Sequence, residues 1–312
     1  MNYKILMNKM VIFLKIGLNT YSFRNELERE RSLSLYDIWK IAKNIGLIEG
    51  IELLDRHIPN WPNNNLKEGI KKCSEELETF ELKIFALGPH LKLYKLEERE
   101  REKEINEFKR WIDYAADFGI NQIRSQVGGI LKFWDRNGPI KGVNVVSKLL
   151  DKVLPYAQQR GVKIGIETHW SFSSNPIFLE KITDKYKESF PNTLGIIFDW
   201  GNFNNNKNRY KALEIASRPY NHCHNHVKIF NFGNNFQQVQ SKFFKLSRFN
   251  YDSMKIVQQF KKNNFNNWFS IEYEGKLSAI EGVYKSAHSL KYALTDGNHK
   301  IDLNFNWNEL LN

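Results

Sequence analysis

Two kinds of segment alternate along the chain. Short apolar runs are followed by longer stretches in which apolar side chains recur every three or four positions. The short runs read as strands and the long ones as amphipathic helices. This pattern predicts strands over 14–19, 50–54, 83–87, 121–125, 163–168, 193–198, 220–228 and 268–273. It predicts helices over 35–44, 66–80, 97–118, 143–160, 176–189, 209–217, 251–263 and 279–293. In the first helix, Leu35, Ile38, Trp39, Ala42 and Ile45 share one face and Gly46 supplies the stop. A long Asn-, Gln- and Phe-rich insertion, 230–250, precedes the seventh helix, and little pattern remains after Asp296.

The count is therefore eight strand-plus-helix units. An internal echo supports it: Tyr114-Ala115-Ala116-Asp117-Phe118-Gly119-Ile120 matches Tyr156-Ala157-Gln158-Gln159-Arg160-Gly161-Val162, each a helix end, a glycine stop and a strand start. Alternating units imply a parallel sheet with right-handed crossovers. Eight of them close most simply into an α/β fold of the single-domain (β/α)8 TIM barrel type. An open doubly wound sheet would carry a glycine-rich phosphate loop after the first strand. Here that loop is Asn19-Thr20-Tyr21-Ser22-Phe23. The expected organisation is an N-terminal extension (1–13), a barrel (14–295) and a C-terminal tail (296–312).

Composition changes this picture little. Hydrophobic content of 41% and aromatic content of 14% suffice for a full core and argue against a disordered chain. A net charge of +11 raises the question of a polyanion partner. The basic residues are dispersed, however. Arg99, Arg101, Lys103, Lys109 and Arg110 are interleaved with Glu97, Glu98, Glu100, Glu102, Glu104 and Glu107, as on a solvated helix face. No nucleic-acid partner is expected. Cys73 and Cys223 are the only cysteines, which gives neither a disulfide framework nor a CxxC zinc spacing. No apolar run approaches the roughly 20 residues of a membrane span, and residues 1–13 lack a small-residue cleavage site. The expected setting is cytoplasmic and reducing, with no membrane partner.

A barrel places its active site at the C-terminal ends of its strands. The polar residues there are Glu52, His90, Arg124, Gln126, Glu167, His169, Asp199, Asn202, His226, Lys228, Glu272 and Glu274. In the stretch Tyr220-Asn221-His222-Cys223-His224-Asn225-His226-Val227-Lys228, strict alternation would put His222, His224, His226 and Lys228 on one face. On that reading His224 backs the site, His222 is structural and Cys223 faces the helices. Four neighbouring staves offer Glu167, Asp199, His226 and Glu272 at one height. Three carboxylates and one imidazole form a hard site for one divalent cation, Mn²⁺ ahead of Mg²⁺, Co²⁺ or Zn²⁺. Without a cation the carboxylates would repel and one would protonate. Glu52 reads either as a substrate contact or as a buried glutamate paired with Arg24 or Lys92. His90 reads as a site residue or a loop histidine. Trp170, Phe172 and Trp200 read as an apolar wall of the site or as core.

The set Gly165-Ile166-Glu167-Thr168-His169, Phe198-Asp199-Trp200-Gly201-Asn202, His224-Asn225-His226-Val227-Lys228 and Ser270-Ile271-Glu272-Tyr273-Glu274-Gly275 resembles the xylose isomerase-like TIM barrel superfamily, which includes the sugar phosphate isomerase/epimerase family. The resemblance runs from Lys15 to about Leu294. It implies that Glu167, Asp199, His226 and Glu272 bind one divalent metal. It also implies that Glu167 and Glu272 are the catalytic acid/base pair, moving a proton through a metal-stabilised enediolate. His169, Asn202 and Lys228 would contact substrate oxygens, with His90, Glu52 and Arg124 beside them. The activity implied is isomerisation or epimerisation of a sugar or sugar-derived keto compound. The alternative is dehydration of a cyclic polyol or keto sugar, with His169 or His90 as acid. Oligomers are common in the superfamily, so a homo-oligomer fits the resemblance. Two departures argue against a ketose 3-epimerase: Ile229 stands where many relatives have an aspartate after the lysine, and Asn202 stands in place of a histidine. The endonuclease branch needs further histidines that this chain lacks, which makes a DNA-repair role the lesser reading, alongside a non-catalytic sugar-binding subunit.

Overall fold

The computed structural model describes residues 14–62, 65–130, 135–232, 238–243, 247–300 and 305–311. The strands are β1 (Lys15–Asn19), β2 (Gly50–Leu54), β3 (Ile84–Gly88), β4 (Gln122–Ser125), β5 (Lys163–Glu167), β6 (Leu194–Asp199), β7 (His222–Ile229), β8 (Asn231–Phe232), β9 (Gln238–Phe243), β10 (Ser247–Asp252) and β11 (Trp268–Tyr273). The helices between them are α1 (Leu35–Ile45), α2 (Leu66–Thr79), α3 (Glu98–Asp117), α4 (Gly138–Arg160), α5 (Pro176–Tyr186), α6 (Asn206–Ala216), α7 (Ser253–Lys262) and α8 (Ala279–Leu294). Strands β1 to β7 and β11 close into a barrel in the order β1-β11-β7-β6-β5-β4-β3-β2. Every pairing around the barrel is parallel.

Local chemistry explains the boundaries. Ser34 and Asp37 form a capping box at the start of α1, which satisfies orphan backbone donors. The repeated glycine stops behave alike. Gly119 and Gly161 have φ of 66° and 69°, and Ile120 N and Val162 N reach back to Ala115 O and Ala157 O at 2.8 and 2.9 Å. Only a residue without a Cβ takes this left-handed turn at no cost. Helix α4 starts five residues earlier than its periodicity suggests, because Pro139 occupies the first turn, where its missing N–H is no loss.

Three findings depart from the sequence reading. The described part of the 230–250 insertion is a three-stranded antiparallel sheet, β10-β9-β8. The tail packs on the barrel: Leu310 is buried in the 3-10 turn Trp307–Leu311, and its carbonyl accepts from Asn44 Nδ2 at 3.0 Å. Residues 1–13, the expected extension, lie outside the described residues.

The third departure is inside the barrel. Between β6 and β7 the register runs from Ile196↔His222 to Phe198↔Asn225, so β7 carries one extra residue. Such a bulge breaks the alternation and re-aims side chains. Cys223 and His224 both point inward. The Cys223 Sγ donates to Gln122 Oε1 at 3.1 Å and packs over Gly165, where a Cβ would lie 2.8 Å from it. His222 instead turns toward the helices, against Phe260 and Phe265, with Nε2 2.9 Å from Ser217 O. The expectations that Cys223 faces the helices and that His222 shares a face with His224 are corrected accordingly. Below this level Phe85 and Trp268 stack at 4.5 Å and plug the barrel floor.

Candidate metal centre

Glu167 ends β5, Asp199 ends β6, His226 lies in β7 and Glu272 lies in β11. Asp199 and His226 are register partners. Glu272 sits one inward position higher, level with Lys228, while Ser270 pairs with His226. The four are thus not at one height along the sheet, yet their side chains converge. His226 Nδ1 lies 3.0 Å from Glu272 Oε2, 3.4 Å from Glu167 Oε1 and 3.9 Å from Asp199 Oδ2. One ligand atom from each lies within 4.8 Å of all the others, and all four residues are buried. Metal–ligand bonds of about 2.0–2.6 Å allow donors about 4–5 Å apart across one ion.

The decisive atom is His226 Nδ1. It is buried and has no hydrogen-bond partner among the described residues, although three carboxylates surround it. Buried polar atoms are nearly always satisfied, and either a proton on Nδ1 or a cation among these three oxygens would satisfy this one. The donor set of three carboxylates and one imidazole fits a divalent ion.

Charge holds the rest in place. Lys228 Nζ lies 2.7 Å from Glu272 Oε1, 2.9 Å from Glu274 Oε1 and 3.1 Å from Asp199 Oδ2. Arg124 donates to Glu167 Oε2 at 3.1 Å and to Gly88 O at 3.2 Å. Asn202 Nδ2 donates to Asp199 Oδ2 at 2.7 Å, and the Gly201 and Asn202 amides cap Asp199 Oδ1 at 2.8 and 3.1 Å. Burial pushes the Asp199 carboxyl up to about 7, with Glu272 adding to it and Lys228 opposing. Burial also works against the Glu272 carboxylate, but Lys228 and His226 hold it at about 2. For Glu167, burial is outweighed by His169, Arg124 and His226, which keep it well below the usual carboxylate range. His226 is driven well above the usual imidazole range, its burial outweighed by Glu52 and Glu272. Three acids in one dry cluster have therefore drawn protons and cations around them, as their mutual repulsion requires.

A cavity of about 390 Å³ opens above the cluster. Glu167 and Glu272 reach its wall, together with His90, Arg124, His169, Asn202 and Lys228. Asp199 and His226 lie beneath them, fully buried. Glu52 does not line the cavity. It lies behind His226, with both carboxylate oxygens 3.0 Å from His226 Nε2, and Ser270 Oγ donates to it at 2.8 Å. It is a buried glutamate, as one of the two readings has it, but its partners are His226 and Ser270 and not Arg24, which stands beside Glu274 at 3.9 Å. Trp200 and Phe172 are buried in the core, whereas Trp170 is 46% exposed at the cavity, stacked on His169 with centroids 5.2 Å apart. Trp170 holds φ 57° and Ser171 φ 47°, a conformation costly for side-chain-bearing residues. The Ser173 hydroxyl pins it, accepting from His169 N and donating to Trp170 O at 2.8 and 3.1 Å. The cavity also includes Tyr21 and Arg56, which the strand-end reading passed over. Both stand just beyond strand ends, in the turns after β1 and β2.

Among the described residues no helix is long and apolar enough to cross a membrane. No curated protein matches the sequence significantly. Solved structures do match. An IolI protein with a bound zinc atom is 17% identical over 91% of this chain and 97% of its own, with a TM-score of 0.61. The apo 3-keto-D-glucoside 4-epimerase YcjR from E. coli is 17% identical over 91% and 100%, with a TM-score of 0.60. A xylose isomerase-like TIM barrel protein from Mycobacterium smegmatis in complex with magnesium is 14% identical over 90% and 95%, with a TM-score of 0.58. At these identities the likeness is one of fold. The family model described as xylose isomerase-like TIM barrel matches residues 39–293, and with that match the chain belongs to this family.

Proposed function

We propose that the protein is a divalent-metal-dependent isomerase or epimerase acting on a small sugar or sugar-derived keto compound. The observation that carries this reading is the unpartnered His226 Nδ1 enclosed by Glu167, Asp199 and Glu272 beneath an open polar cavity. These four residues would hold one cation: Mn²⁺ by the donor set, with zinc and magnesium present in the relatives named above. When bound, the cation supplies Lewis acidity toward a carbonyl and its neighbouring hydroxyl, so the C–H between them becomes acidic.

The protein's own groups do the rest. Glu167 and Glu272 come from β5 and β11, with β6 and β7 between them, and approach the cavity from two sides. One takes the proton from carbon and the other returns a proton to the opposite face, which inverts the centre. Return to the neighbouring carbon isomerises the compound instead. Arg124 beside Glu167 and Lys228 beside Glu272 favour the ionised form that accepts a proton. The partner that delivers one must be protonated when the substrate binds, and the two exchange protons with solvent to restore that state before the next turnover. His90, His169, Asn202, Arg124 and Lys228 offer hydrogen bonds to substrate oxygens around the cavity wall.

The test is C–H exchange. Protein reloaded with Mn²⁺ is incubated with a panel of keto sugars in D₂O, and deuterium incorporation is followed by NMR. We expect incorporation at the carbon next to the carbonyl for at least one sugar. Glu272→Gln should lower it about 10²–10⁴-fold. Undiminished exchange in that variant would remove Glu272 from the chemistry. A second reading, dehydration, draws on the two imidazoles His90 and His169 in the same cavity. It predicts loss of a β-hydroxyl as water, seen as an unsaturated ketone, in place of simple exchange.

A further inference from the structure

Beneath the four-residue cluster lies a second buried group: Glu52, His224 and His226, whose nearest donor atoms also fall within 4.8 Å of one another. His226 belongs to both groups, and its two ring nitrogens face opposite ways. Nδ1 looks up at Glu167, Asp199 and Glu272, and Nε2 looks down at Glu52. A neutral imidazole carries one proton, so a lone pair on Nδ1 requires the proton on Nε2. Glu52 is the group that can require it. Both of its oxygens lie 3.0 Å from Nε2. Glu52 itself is fixed: Ser270 Oγ donates to it at 2.8 Å and His224 Nε2 stands 3.4 Å away. His224 is held in turn by Gln122 Oε1, which accepts from its backbone N at 3.0 Å and faces its Nδ1 at 3.4 Å. Alternation back from His226 brings His224 inward beside Glu52, and the extra residue in β7 turns Cys223 inward as well. Phe85 closes the column below, edge-on to His224 at 5.6 Å.

We infer that Glu52 is a positioning residue that fixes the His226 tautomer and sets the cation affinity of the site above it, and that Ser270 and His224 brace it. The lower group is thus a support for the upper one, and not a second cation site. This rests on the cation reading of the upper cluster. Carboxylates that take the outer N–H of a metal-bound imidazole orient the ring and raise its basicity, and their loss typically costs 10–100-fold in affinity.

The probe is Co²⁺, titrated into metal-free protein and followed by its visible absorption, with a chelator competition for affinity and elemental analysis for stoichiometry. Wild type should bind one ion per chain. Glu52→Met, which removes the acceptor, should weaken binding toward 100-fold. Glu52→Gln keeps an oxygen acceptor without the charge and should rescue most of that loss. Should Glu52→Met not fold, Ser270→Ala removes one brace only and should weaken binding by a few-fold. In the Zn²⁺-loaded protein, the ¹⁵N spectrum should place the His226 proton on Nε2, with an N–H resonance that moves in Glu52→Gln. Equal Co²⁺ affinity in wild type, Glu52→Met and Ser270→Ala would overturn the proposal while leaving the upper site intact. Two ions per chain in wild type, one lost in Glu52→Met, would make the lower group a cation site and overturn it too. No binding by wild type would overturn this inference together with the cation reading.

Discussion

Lys228 is 3% exposed and faces three carboxylates, Glu272, Glu274 and Asp199, at 2.7–3.1 Å. Replacing it with Met keeps the length of the side chain and removes the charge. Asp199 and Glu272 are then left facing each other and Glu167 in a dry cluster. Breaking a buried ion pair from one side costs about 3–5 kcal/mol. For a chain of this length each kcal/mol moves the melting temperature by about 2 °C, so the melt should fall by about 6–10 °C in EDTA. A divalent cation replaces the missing positive charge, because a ligand that binds only the native state stabilises it. The deficit should therefore narrow when Mn²⁺ is saturating. The assay is thermal and urea denaturation of wild type and Lys228→Met followed by circular dichroism, with EDTA and with MnCl₂. A deficit below about 1 kcal/mol in EDTA would refute the electrostatic account of this cluster. A deficit that Mn²⁺ leaves unchanged would refute the idea that Lys228 and a cation neutralise the same acids.

Two further outcomes follow from burial elsewhere. Cys73 and Cys223 are both buried, and burial pushes the Cys73 thiol up to about 12, so a thiol reagent at pH 8 should label neither cysteine in the native protein and both in urea. His57 hydrogen-bonds Thr20 and Glu28, and burial holds its imidazole below the usual value of 6.5, with Glu28 opposing. Its folded pKa is thus below its unfolded one, so its contribution to stability is present above about pH 6.5 and is lost as pH falls toward the folded value. An NMR titration should find the His57 midpoint below that of a free imidazole, and a midpoint at or above 6.5 would contradict this.

Much of the architecture was legible because barrel units are locally coded. The apolar stripe of α1, its Ser34 cap and its Gly46 stop lie within a dozen residues, and the same logic repeats at Gly119 and Gly161. The residues at strand ends were legible once the barrel was, because it is the fold, and not the sequence spacing, that brings Glu167, Asp199, His226 and Glu272 together. What alternation could not reveal was the bulge in β7. A single extra residue reverses the facing of His222 and Cys223, and nothing in the run His222-Cys223-His224-Asn225-His226 marks where the pleat breaks. The place of Glu52 was hidden for a related reason: its partners His226 and Ser270 come from strands across the barrel, so only the closed sheet shows that it lies behind the imidazole. The hairpin in the insertion escaped because its strands are short and each alternates only two apolar residues, Val239 and Phe243 or Phe249 and Tyr251, with polar ones.

The central claim is that Glu167, Asp199, His226 and Glu272 hold a single divalent cation. Crystals grown with MnCl₂, with diffraction recorded above the manganese edge, test it most directly. The account predicts one anomalous peak per chain, about 2.0–2.6 Å from Glu167, Asp199 and Glu272 oxygens and from His226 Nδ1. A map without a peak there, or with the ion bound by Glu52 and His224 instead, would contradict it.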